Sequence, residues 1–222
     1  MAERFPETDD KVAQYEATGR ILADTAIGIG VELSLDDRER WAHVLGRIAV
    51  ADDMFEENRE TFSATSLMNY LGMDVQNTSI RDATDRLLST SGQALDATNL
   101  DDHFDLRVTE GVALLEMMIV DTPGREALTD DQFEQLSQAT GFGQILDSVR
   151  DAREDAEEMP QFSARQLQLG GMKRLVTQAA KIRPATWKSL IHAAHHHGLD
   201  RYLLRRHTVD AIKSSVSQQK AA

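Results

Sequence analysis

The chain contains no cysteine, so disulfides and thiolate metal sites are both excluded. It has only four prolines in 222 residues, which leaves long stretches free to be helical. No apolar run approaches the roughly 18 residues of a membrane-spanning helix. The first ten residues, "MAERFPETDD", are acidic and polar, unlike a signal peptide, so the expected location is cytoplasmic. Basic charge is scarce as well. The formal net charge of -13 argues against nucleic acid as a partner.

What is present is an ordinary globular composition, 41% hydrophobic and 27% charged, at a length suited to one domain. The charge is unevenly spread. Residues 1–160 hold 35 Asp+Glu against 13 Lys+Arg, whereas residues 161–222 hold 2 against 11. Basic C-terminal helices packed beside an acidic body would neutralise it internally. A more specific reading has both regions meeting at an anionic ligand that carries cations.

Periodicities of 3.6, with Pro and Gly only at breaks, point to an all-α single-domain bundle of about 8–10 helices around a central apolar cavity. Helices are expected at 9–30, 35–58, 61–71, 78–99, 102–121, 129–158, 163–182, 185–197 and 199–216, with a break near Gly141.

Two of these helices turn from apolar to acidic along one stripe. In 35–58, Trp41, Val44, Leu45 and Ile48 lead to Asp52 and Glu56, within "ADDMFEEN". In 129–158, Leu136, Thr140 and Gly143 or Gln144 lead to Asp147, Asp151 and Asp155, with no Lys or Arg in the stripe. Like charges four residues apart repel by a few tenths of a kcal/mol per pair. Gly143 on the inner face leaves space beside the backbone. Packed side by side, the two helices make a cavity with apolar walls and a carboxylate-lined mouth. Such a mouth suits hard cations such as Mg²⁺, which bridge to phosphates.

"GFGQILDSVRDAREDAEEMP" resembles the second aspartate-rich motif of squalene/phytoene synthases, with Asp147, Arg150, Asp151, Glu154 and Asp155 at the matching positions. "RIAVADDMFEEN" resembles the first motif through Asp52, Asp53, Glu56 and Glu57. The chain is shorter than is usual for that family, and the segment between the motifs is compressed. The resemblance implies a class I isoprenoid synthase fold and an enzyme, a transferase or lyase, that ionises an allylic prenyl diphosphate with Mg²⁺. It implies Asp52, Asp53, Glu56, Asp147, Asp151 and Asp155 as metal ligands, with Asp52, Asp53, Asp147 and Asp151 central to catalysis. Arg150, Arg201, Tyr202, Gly143 and Gln144 would meet the substrate. An apolar product would bring peripheral membrane contact, and a homodimer is compatible with such a chain. The low aromatic content, 5%, argues against an elaborate cyclase, although Trp41, Phe55 and Phe142 are available as rings.

Plainer readings stand beside these. The aspartate stripe can be a solvated face paired locally by Arg150 and Arg153. His192 and His196 near a helix end suit surface positions better than a metal. Met117 and Met118 read as core, and Lys173 and Arg174 as a basic face. A non-catalytic relative that binds or assembles, or a helical module with an acidic surface, are the rival functions.

Overall fold

Side chains that accept the first free amides set most helix starts. The computed structural model describes residues 6–57, 59, 61–122 and 128–198; within helices it leaves out the side chains of 6–10, 53, 56 and 57. Among the described residues there are nine helices and no strands. They are α1 (Pro6–Gly28), α2 (Leu35–Glu57), α3 (Ala64–Leu71), α4 (Thr78–Leu95), α5 (Leu100–Asp121), α6 (Asp130–Arg150), α7 (Ala152–Glu158), α8 (Ala164–Ala179) and α9 (Pro184–His196).

The chain's capping chemistry explains these bounds. Ser34 and Asp37 exchange bonds at the start of α2, with Ser34 N to Asp37 Oδ2 at 2.9 Å and Asp37 N to Ser34 Oγ at 3.1 Å. Thr129 with Gln132, and Ser163 with Gln166, form capping boxes on α6 and α8. Ser63 caps α3, so that helix starts at Ala64 and not at 61. Asn99 caps α5, which forces α4 to end at Leu95 and not at 99. Gly72 closes α3 at φ 68°, a left-handed conformation that glycine adopts without a Cβ penalty. The expected helix at 199–216 lies outside the described residues.

One break falls elsewhere than expected. The helix runs straight through Gly141, which is needed for packing: a Cβ there would lie 2.9 Å from Val108 Cγ1 and 3.0 Å from Gln178 Nε2. The interruption comes at Asp151, at φ -95° and ψ 11°. The amide ladder still crosses it, through Asp151 N to Asp147 O at 2.9 Å and Asp155 N to Asp151 O at 3.0 Å. The aspartate stripe therefore persists from α6 into α7.

α1 packs on α2, α6 and α9; α5 packs on α4, α6 and α8. Two apolar clusters result. One gathers Trp41, Leu67, Met68, Leu115, Met117, Met118 and Leu136. The other gathers Phe104, Phe142, Ile145, Leu167, Leu175 and Trp187. α5 feeds both, through residues 113–119 and through Phe104, and its intervening stretch carries Arg107 and Glu110. The two methionines are thus core, 0% and 1% exposed. α8 and the residue that precedes α9 pair with the acidic body directly, through Arg174–Asp105 and through Arg183–Asp131 at 2.5 Å. Among the described residues, no helix is long and apolar enough to cross a membrane.

Candidate functional site

The polar middle of α5 is where the chemistry collects. Glu110 is buried, 6% exposed. Its carboxylate accepts from Ser91 Oγ of α4 at 2.6 Å and from Arg107 Nη1, one turn earlier, at 2.5 Å. Arg107 Nε donates to Ser148 Oγ of α6 at 3.1 Å. The guanidinium is therefore fixed from two sides. Burial works against its charge, but the carboxylates of Glu110, Asp52, Asp147 and Asp155 more than offset this and hold it cationic.

Carboxylates of both acidic motifs, Asp52 from the first and Asp147 and Asp155 from the second, act on the charge of that guanidinium. Asp52, on α2, is open to solvent yet walled in by protein; burial, then the neighbouring Glu110, push its carboxyl up to about 6. Asp155, on α7, is pushed up to about 7 by burial, with Asp151 adding to the rise and Arg107 opposing it. Asp147 is raised by burial too, against the pull of Arg150. Its carboxylate accepts from the Tyr15 hydroxyl of α1 at 2.9 Å and pairs with Arg150 at 2.6 Å. Burial and Asp147 raise Tyr15 above the ordinary phenol value, so it remains a donor.

Arg150 corrects the expectation of a stripe without basic residues. It precedes Asp151 in sequence and folds back across the stripe. Its Nε and Nη2 grip both Asp151 oxygens, at 2.7 and 2.5 Å, while Nη2 also meets Asp147. The solvated-face reading is thus present in part, as local pairing of half-exposed groups, but Asp147 is also held by Tyr15 of α1. Gly143 is a second correction. It is exposed, with nothing within 4 Å of where a Cβ would be, so it is not on the inner face. The inner positions are its neighbours: Gln144 lies over Gly111 of α5, where a Cβ would meet Gln144 Cγ at 2.9 Å and Thr140 O at 3.0 Å.

Of the other expected site residues, Asp53, Glu56 and Glu57 lie on α2 with only their backbone described, Glu154 is exposed on α7, and Arg201 and Tyr202 lie outside the described residues. His192 and His196 are exposed on α9, apart from this cluster. Tyr15, Ser91, Arg107, Glu110 and Ser148 were not picked out by motif or stripe. Each is a single polar residue inside an otherwise regular helix, and only tertiary packing turns them toward one another.

Carboxylate oxygens suit a hard divalent cation, and a cation bound there would favour the charged forms of Asp52 and Asp155, which burial disfavours. In donor chemistry the cluster fits Mg²⁺. Among the described residues, however, no three His, Cys, Asp or Glu side chains stand together as a ready-made metal cage. Near the same end of α2, an open groove of about 440 Å³ is lined by Phe55, Phe62 and Leu88 and rimmed by Arg59, Asp96 and Gln93. Arg59 pairs with Asp96 at 2.7 Å across that rim. The chain matches no protein-family model, and neither a curated protein nor a solved structure matches it.

Proposed function

We propose that the charged cluster binds Mg²⁺ and the diphosphate of an allylic prenyl substrate, in an enzyme similar to squalene/phytoene synthases or small terpene synthases. One observation carries this reading. Asp52 from the first motif and Asp147 and Asp155 from the second, about a hundred residues apart in sequence, share the field of one arginine, Arg107. Asp52, Asp151 and Asp155 are the described carboxylates that would hold metal, joined by Asp53 and Glu56 on the strength of the motif. Mg²⁺ bound there would stabilise the departing diphosphate. The chain's own residues prepare the place: Tyr15 and Arg150 fix Asp147, Ser148 and Glu110 fix Arg107, and Ser91 fixes Glu110. Phe55, one turn beyond Asp52, leads to the groove, where Phe55, Phe62 and Leu88 offer apolar contacts among polar neighbours.

Incubation with ten-, fifteen- and twenty-carbon prenyl diphosphates, with and without Mg²⁺, tests this. Mg²⁺-dependent diphosphate release with a hydrocarbon product is expected, and its loss in Asp52→Asn. A folded protein that releases no diphosphate from any of the three sinks the reading.

A second reading, a non-catalytic relative that keeps the fold for binding or assembly, is favoured by Arg150. That residue is expected to contact diphosphate, yet it is bound to Asp147 and Asp151. Under this reading the carboxylates are neutralised from within and Mg²⁺ with diphosphate leaves the melting temperature unchanged.

A further inference from the structure

We infer that His103 is an acid-sensitive latch: its neutral ring holds the link between α7 and α8 against the corner between α4 and α5, and protonation loosens that hold. This is independent of whatever the acidic cluster binds.

The geometry selects one form of the ring. His103 lies in the first turn of α5 and is 2% exposed. Its Nδ1 is 2.9 Å from Ala94 O, near the end of α4. A carbonyl oxygen can only accept, so Nδ1 carries the proton. Nε2 is then the bare nitrogen of a neutral ring, buried and with no hydrogen-bond partner among the described residues. A proton added there would place a cation and an unmatched donor in an apolar setting. The ring meets Phe104 edge-on, with centroids 4.9 Å apart, and lies 6.2 Å from Phe162 of the α7–α8 link. Gln161 completes the contact, donating to Leu95 O at 3.2 Å and to Ala97 O at 2.9 Å.

The charges that act on the ring, Arg107 and Glu110, both belong to α5 and oppose one another. Asp96, at the end of α4, is taken up by Arg59 at 3.0 and 2.7 Å, and the link presents the uncharged Gln161 and Phe162. Burial therefore dominates and holds the ring below the ordinary histidine value, although the Ala94 bond opposes it. The opened chain takes the proton more readily than the closed one. The stability that His103 supplies is thus full above the ordinary value of 6.5 and is lost as pH falls below it. Because the link follows directly on α7, its loosening frees the C-terminal end of the helix that carries Asp155.

The test uses the full chain and two variants. His103→Asn keeps a donor for Ala94 O but takes up no proton. His103→Phe keeps a ring against Phe104 and Phe162. Melting temperature and amide exchange, corrected for its intrinsic pH dependence, are followed from about pH 7.5 to about pH 5. Over that range wild type is expected to lose several degrees relative to both variants. The amide of Phe162, bonded to Met159 O at 2.9 Å, should lose protection several-fold in wild type alone. The ring resonances of His103 in wild type should titrate below the ordinary histidine value. A ring that titrates at the ordinary value, or a gap between wild type and variants that does not change with pH, overturns the inference. The ring titration is read on wild type, so it decides even where a variant fails to fold.

Discussion

The hydroxyl of Tyr15 donates to Asp147 across 2.9 Å, joining α1 to α6 between residues 132 positions apart. Because the acceptor is a half-buried carboxylate paired with Arg150, the bond is of the charge-assisted kind. Tyr15→Phe removes the donor and little volume, and is expected to cost about 1.5–3 kcal/mol. In a chain of this size that lowers the melting temperature by roughly 2–4 °C per kcal/mol, read by calorimetry. No change would mean that water replaces the hydroxyl at Asp147.

Asp147 and Asp151 share Arg150 and are about equally exposed, 23% and 27%, but Asp147 also holds the Tyr15 hydroxyl. Asp151→Asn keeps the shape of a partly exposed group and should cost about 0.2–1 kcal/mol, as pairs near the surface do. Asp147→Asn disturbs the Tyr15 bond as well as the Arg150 pair and should cost about 0.5–1.5 kcal/mol more. Urea melts of the two variants check the order; the reverse order would show that the Tyr15 bond adds nothing.

Asp155 gives a pH signature. Its folded value, about 7, lies above the ordinary aspartate value of 3.8, so the folded chain holds this proton more tightly than the unfolded chain. Stability from this group is therefore full below the unfolded value and is lost as pH rises toward the folded one. Asp155→Asn mimics the protonated form. Its advantage over wild type should be near zero at acid pH, grow between about 4 and 7, and level off above. Melting temperatures of both proteins across that range decide it; a pH-independent difference would show that Asp155 titrates normally. Millimolar Mg²⁺ should shrink the advantage.

Two glycines make opposite predictions. A Cβ on Gly19 would lie 2.6 Å from Ala42 Cα and 2.7 Å from Trp41 O, both backbone atoms of α2, so Gly19→Ala must push two helices apart. The cost of such overpacking is about 1–3 kcal/mol. Gly143→Ala meets open space on a helix and should stabilise by about 0.5–1 kcal/mol. Thermal melts that rank the two the other way would refute the α1–α2 contact.

Much of this architecture can be read directly from the chain. Ser34, Thr129 and Ser163 announce helix starts through local rules, and the stripes Trp41–Ile48 and Leu136–Thr140 place the apolar faces. The two stripes share one trend from apolar to acidic, which is why Asp52, Asp147 and Asp155 stand out in the sequence. Arg107 does not, because a single arginine in "DLRVTEG" carries no periodic signal. The orientation of Arg150 escaped for a related reason: its sequence position puts it off the stripe, and only a long side chain folding back returns it. Gly143 misled because a glycine near an acidic stripe looks like room for a ligand, when the close approach is made at Gly111 and Gly141.

The polar middle of α5 also bears on how the molecule comes apart. Each apolar cluster is continuous within itself, whereas Arg107 and Glu110 lie on the stretch of α5 between them. A polar seam transmits cooperativity less well than dry packing does, since its bonds can be exchanged for water one at a time. The parts built on α2–α4 and on α7–α9 are thus the natural units of partial unfolding. Amide exchange should sort these helices into two groups, with α1, α5 and α6, which feed both clusters, as the elements whose protection depends on both.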